Sequence, residues 1–180
     1  EKMPGSGDRN INSAWNFVGP SSSFPDGSGG LNGIERVDRI AFHPTNQNII
    51  YLGTPAGGLW RSMDGGFNWD NLTDQLPSLG ISGIVISYAN ANHIYLLTGD
   101  GDSNMGGFVE GFGYMRPSVG VLKSTDGGVT WARTGTFPST PSIWTGYKLV
   151  QSPADPNILL AATSTGLYRT INGGDTWTKE

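Results

Sequence analysis

Gly120-Val121-Leu122-Lys123-Ser124-Thr125-Asp126-Gly127-Gly128-Val129-Thr130-Trp131 is the stretch on which the fold turns, because it occurs three times. Without gaps it aligns with Gly58-Leu59-Trp60-Arg61-Ser62-Met63-Asp64-Gly65-Gly66-Phe67-Asn68-Trp69 and with Gly166-Leu167-Tyr168-Arg169-Thr170-Ile171-Asn172-Gly173-Gly174-Asp175-Thr176-Trp177. Asp-Gly or Asn-Gly between β-rich runs is a strong hairpin signal, since both turn positions want positive φ. The second glycine widens that freedom. Asp64, Asp126 and Asn172 can accept hydrogen bonds from nearby backbone N–H groups, and Ser62, Ser124 and Thr170 can add a second local bond. Trp69, Trp131 and Trp177 then open the return strand, placed to pack over the hairpin. These residues, with Gly65, Gly127 and Gly173 in the turn, read as a folding motif.

Working outward, each hairpin is preceded by another pair of apolar runs. Runs 37–42 and 49–53 flank the turn 43–48, runs 84–88 and 94–98 flank 89–93, and runs 147–151 and 158–163 flank 152–157. Each unit is therefore four short strands in series, and the three tryptophans stand 62 and 46 residues apart. A four-stranded repeat of that period predicts an all-β fold, a β-propeller of antiparallel blades. The blades are expected at 37–74, 81–136 (with an insertion at 99–118) and 145–180. That makes an incomplete arc of about three.

Composition agrees. The 180 residues include 28 glycines, about twice the usual share, and only 14% are charged. So many glycines weaken helices and so little charge leaves no solvated helix faces, which excludes a bundle or coiled coil. A hydrophobic share of 36% with 11% aromatics builds a core, which excludes disorder. A net charge of −4 argues against nucleic acid and anionic membrane surfaces, and no run approaches a membrane span. Zero cysteines exclude disulfides, thiolate metal sites and a cysteine nucleophile. The start Glu1-Lys2-Met3-Pro4 carries no apolar targeting segment and reads as a processed or trimmed product.

The Ser-x-Asp-Gly-Gly-x-Thr-Trp pattern resembles the Asp-box of bacterial neuraminidase repeats, shared by sialidases, sortilin-like receptors and many secreted propellers. Trp15-Asn16-Phe17-Val18-Gly19-Pro20, the strand at 37–44 and Gly57-Gly58-Leu59-Trp60-Arg61-Ser62 resemble a narrower group, secreted propellers exported by type IX secretion. The resemblance covers about residues 13–180. It implies a secreted or cell-surface location and the type IX secretion machinery as a partner. It also implies that residues 13–20, after a tail at 1–12, supply the outer strand of the last blade. The ring would then be completed by remaining blades of the same chain or by other subunits.

Strand alternation puts the turns between strands one and two, and three and four, on one face of the ring. Loops between strands two and three, and between blades, lie on the other. The unusual loop is on that second face. Blade one crosses from strand two to three with 54–57 and blade three with 164–165, whereas blade two inserts residues 99–118. Long loops on rigid scaffolds concentrate binding residues. This one carries Phe108, Phe112 and Tyr114 as stacking surfaces beside Arg116, a candidate contact for glycan or protein; packing of the aromatics over the blades is the other reading. Asp100-x-Asp102-x-Asn104 has the oxygen spacing of a calcium loop. Met105 stands where an EF-hand needs glycine, and Glu110 falls one residue ahead of the bidentate position, so the choice is between a looser calcium site and a polar turn. No cofactor is required.

Catalysis is thinly signalled. Sialidase-like chemistry, which the resemblance brings to mind, needs an arginine triad, a tyrosine–glutamate pair and an acid/base aspartate; Arg39 stands near where the first arginine is expected, and it can equally cap a strand or pair with Asp38. Asp102 and Glu110 are candidates for a carboxylate pair. His43 and His93 fall in turns without metal-ligand spacing. The expectation is a glycan- or protein-binding propeller, part of a larger exported protein and without catalysis in this segment. The alternatives are a sialidase-like glycoside hydrolase completed by residues beyond 180, and an exported structural module.

Overall fold

The computed structural model describes residues 36–76, 80–102, 118–135, 137 and 145–180. Among these the chain forms twelve strands and no helix. Blade 1 holds β1 (Arg39–Phe42), β2 (Ile50–Gly53), β3 (Leu59–Ser62) and β4 (Asp70–Asn71). Blade 2 holds β5 (Ile81–Ile86), β6 (Ile94–Thr98), β7 (Val121–Ser124) and β8 (Ala132–Arg133). Blade 3 holds β9 (Gly146–Gln151), β10 (Leu159–Thr163), β11 (Gly166–Thr170) and β12 (Thr178–Lys179). Each blade is one antiparallel sheet with its strands in sequence order. The first strands lie innermost, β5 packing against β1 on one side and β9 on the other. This is an arc of three propeller blades. The proposed closing strand at 13–20 lies outside the described residues.

The blades stack face to face. Ala41, Tyr51 and Leu59 of blade 1 pack on Ile84, Ile86, Ile94, Leu96 and Leu122 of blade 2. The other face of blade 2, with Val85, Tyr95, Leu97 and Val121, packs on Leu149, Leu159, Ala161 and Tyr168 of blade 3. Each blade thus has a leading face, toward the blade before it, and a trailing face, toward the blade after. Burial along the strands follows from this. All five residues of β6 are buried because blade 2 is covered on both faces, whereas β10 alternates buried and half-buried because blade 3 is covered on one. Inner strands approach so closely that a Cβ at Gly83 would lie 2.6 Å from Leu149 Cβ.

Two expectations from sequence are corrected. The inner strand of blade 2 runs over Ile81–Ile86, not 84–88. Ser87 N–H donates to the His93 carbonyl and closes the turn before Tyr88, while a register shift between Ile81 and Gly83 extends the strand backward. The positive φ angles of the repeated turn fall on the two glycines, 72° and 93° at Gly127 and Gly128, and no described non-glycine residue has positive φ. The turn is therefore a wider loop than an Asp-Gly hairpin, and the aspartate knits it through its side chain.

That knitting recurs in all three blades, with one reversal in blade 3, where Asn172 Nδ2 donates to Thr176 Oγ1. Ser124 Oγ donates to Asp126 Oδ1 at 2.7 Å and accepts Gly128 N–H at 2.8 Å. Asp126 Oδ1 accepts the N–H groups of Val129 and Thr130, and its Oδ2 accepts the Thr130 hydroxyl. Ser62, Asp64, Gly66 and Asn68 repeat the set in blade 1, and Thr170, Asn172, Gly174 and Thr176 in blade 3. Each loop also bonds the turn between the first two strands: the N–H groups of Gly65, Gly127 and Gly173 donate to the carbonyls of Asn48, Asn92 and Asn157. Both sets of turns share one face of the arc.

Candidate functional site

The opposite face carries the charged cluster. β1 delivers Arg39 to the mouth of the arc, where four protein acceptors surround its guanidinium. Nε donates to the Ser82 carbonyl at 2.6 Å, Nη1 to the Asp38 carbonyl at 2.7 Å, and Nη2 to Asp102 Oδ2 at 2.7 Å and the Tyr147 carbonyl at 2.5 Å. One side chain thereby ties the inner strand of blade 1 to those of blades 2 and 3. Arg36 pairs with the Asp38 carboxylate and reaches the buried Asp100 at 3.3 Å. Its hydrogen bond to Asp38 is the main influence raising its pKa, against a smaller opposing effect of burial. Asp100 Oδ1 also accepts the Asp102 N–H at 3.0 Å, which fixes the start of the long β6–β7 connection.

Beside this cluster the inner strands line a cleft of about 400 Å³, with Arg39, Ile40, Ser82, Tyr147 and Lys148 on its walls. A smaller hollow of about 230 Å³ lies where blades 2 and 3 meet, beside Trp131, Arg133 and Asp175.

The structure brings Arg39 and Asp102 together, as a salt bridge and not as a free pair. Arg39 is held to carbonyls and Asp102, and so acts as a clamp between blades; it bonds the Asp38 carbonyl, while the Asp38 carboxylate pairs with Arg36. Glu110, Phe108, Phe112, Tyr114, Arg116 and Asn104 lie outside the described residues. Among the described residues no three His, Asp or Glu side chains cluster to hold a metal ion. His43 Nδ1 accepts the N–H groups of Thr45 and Asn46, which places this histidine in its own turn.

The sequence reading missed a second repeated device. Thr54, Thr98 and Thr163 each end or follow the second strand, and each Oγ1 donates to the carbonyl of the glycine that opens the third: Gly58 at 3.4 Å, Gly120 at 2.7 Å and Gly166 at 2.8 Å. Thr98 also accepts Val119 N–H at 2.8 Å, so the long insertion is stapled at its base like the short loops. The signal was available, since a threonine follows each second apolar run.

No known family profile matches the chain. The chain is similar to curated xyloglucanases. It is 29% identical over 155 residues to that of a Paenibacillus species, covering 79% of this chain and 14% of the relative. It is 30% identical over 156 residues to that of Hypocrea jecorina, covering 78% and 18%. Among solved structures it resembles an ancestral GH74 enzyme, with a TM-score of 0.67 and 30% identity over 81% of this chain and 18% of that one. It also shares its fold with the GH74 xyloglucanase of Xanthomonas campestris at TM-score 0.56, 24% identity and 78% coverage, against 20% of that chain. A YCF48 protein bound to a D1 peptide shares the fold at 0.53 and 16% identity, over 79% of this chain and 38% of that one. The chain spans less than a fifth of the length of the curated relatives it matches. These similarities confirm the β-propeller and connect it to glycan-active proteins. The curated relatives are xyloglucanases and not sialidases.

Proposed function

We propose that the chain is the polysaccharide-facing arc of an extracellular β-propeller glycoside hydrolase that acts on xyloglucan-type β-glucans. The similarity to five curated xyloglucanases at 28–30% identity over about three quarters of the chain carries this reading. A polymer of that size is met outside the cell, which supports export; type IX secretion is the finer route that the N-terminal resemblance suggests. The mouth bearing Arg39, Asp100 and Asp102, with the insertion rooted beside it, is the glycan side. Since both described carboxylates there are engaged by arginines, these residues shape and orient the surface, and an acid–base pair is supplied elsewhere in the protein.

The test is the full-length protein with xyloglucan, cellulose and a sialylated glycan. Release of reducing ends from xyloglucan, with retardation in a xyloglucan affinity gel, is expected; retardation without release would favour a binding role. The absence of both retardation and release with xyloglucan would overturn the reading.

A further inference from the structure

The inner strands of blades 2 and 3 carry the same irregularity. In blade 2 the ladder steps from Gly83 opposite Leu97 to Ile81 opposite Thr98, which leaves Ser82 without a partner. In blade 3 it steps from Lys148 opposite Ala162 to Gly146 opposite Thr163, which leaves Tyr147. A bulge of this kind re-aims one side chain, and bulges are frequent beside active sites. The two extra residues use it in opposite ways. Ser82 is buried, and its hydroxyl donates to the carbonyls of Leu97 at 3.1 Å and Thr98 at 3.4 Å. Tyr147 is 40% exposed and stands on the wall of the cleft with Arg39.

Exposed as it is, Tyr147 is held in place. Gly101 N–H donates to the Gly146 carbonyl at 3.0 Å, and the Tyr147 carbonyl accepts Arg39 Nη2 at 2.5 Å. The ring itself lies against Gly101, where a Cβ would sit 2.5 Å from Tyr147 Cδ1, so glycine at 101 gives the ring its seat. The Tyr147 hydroxyl has no hydrogen-bond partner among the described residues. An aromatic face fixed in advance loses little freedom when a ligand covers it.

We propose that Tyr147 is a stacking platform for one pyranose ring of the β-glucan backbone, re-aimed by the bulge in β9 and seated on Gly101. A β-glucopyranose presents C–H groups on its faces and hydroxyls around its rim. The tyrosine ring supplies an apolar body for such a face, and the phenol a polar tip for the rim. The guanidinium beside it is already matched by Asp102 and is not waiting for an anionic group. The inference rests on the reading of the chain as part of a β-glucan hydrolase, and adds a residue that grips the polymer. Stacking is made alike to bound substrate and transition state, so it acts on KM and leaves kcat.

In the full-length protein, Tyr147→Leu keeps apolar bulk and removes the flat face, whereas Tyr147→Phe keeps the face. With xyloglucan, Tyr147→Leu should raise KM about threefold to tenfold with kcat within about twofold, and retardation in the xyloglucan gel should fall with it. Tyr147→Phe should stay close to the unsubstituted protein. A merely structural role would lower the thermal midpoint or kcat and leave KM in place. If the protein binds without cleaving, retardation reads the same loss. Where Tyr147→Leu fails to fold, nitration of Tyr147 by tetranitromethane in the unsubstituted protein, read by peptide mass, decides: a xyloglucan oligosaccharide should slow it. Unchanged KM and retardation in Tyr147→Leu, or nitration that the oligosaccharide does not slow, in a protein that binds xyloglucan, overturns this inference and leaves the proposed function standing. A protein that neither binds nor cleaves xyloglucan overturns both.

Discussion

Asp64 and Asp126 show how much chemistry a structural turn can absorb. Both carboxyls are held down to about 2 from an ordinary 3.8, Asp64 chiefly by hydrogen bonds from the Asn68 N–H and side chain, and Asp126 chiefly by those from the Thr130 hydroxyl and N–H. A folded-state pKa below the unfolded one means that the unfolded chain takes up protons first as the pH falls. The stabilisation is fully present above the unfolded value and is lost between about pH 4 and pH 2. Asn172 makes the corresponding bonds in blade 3 without titrating, which shows that an amide fits the site. The double variant Asp64→Asn with Asp126→Asn should therefore flatten the acid limb of stability, read as the urea midpoint between pH 4 and 2. An unchanged slope would place the acid sensitivity elsewhere. The position of each aspartate was legible from its place before Gly-Gly. The positive φ of the glycines rather than the aspartate was not, because several side-chain bonds within the loop choose the wider turn.

At the scale of elements, the long connection between β6 and β7 is rooted by Thr98. Its side chain is fully buried, bonded to the Gly120 carbonyl and to Val119 N–H, and has the Ser118 hydroxyl 2.9 Å away. Thr98→Val keeps the shape and strands these polar groups, so a loss of about 1–3 kcal/mol is expected in urea titrations. Thr98→Ser retains the hydroxyl and should recover most of it. The four-strand plan of each unit could be read from apolar runs and turn residues alone, since those are local. The extent of β5 could not, because its backward extension depends on pairing with β6 across a register shift.

At the scale of the molecule, stability resides in the blade junctions. Gly83 is a close approach between the inner strands of blades 2 and 3: a methyl there would meet Leu149 Cβ at 2.6 Å and its backbone N at 2.7 Å. Backbone cannot yield as a flexible side chain does. Gly83→Ala should lower stability by about 1–3 kcal/mol, seen as a reduced thermal midpoint. The adjoining core is aromatic, with Phe137 tilted against Tyr168 at 4.8 Å and edge-on to Trp177 at 5.1 Å. Phe137→Ala should cost about 3–5 kcal/mol by the same measurement. Equal stability in either variant would mean that the junction relaxes without loss.

The amino-acid sequence by itself determined the blade. Turn chemistry, the alternation of apolar residues and the threefold recurrence act within about fifty residues, and each can be read where it stands. What only the tertiary structure decided is how the blades are joined and what the charged residues do. Arg39 reads locally as a neighbour of Asp38, yet its partners lie at 82, 102 and 147 as well as 38. The tryptophans read as covers for their own hairpins, yet Trp131 and Trp177 bond the preceding blade. Such contacts depend on the closeness of the inner strands and the stagger of one sheet over the next. No local pattern encodes either, because both arise only when complete blades pack.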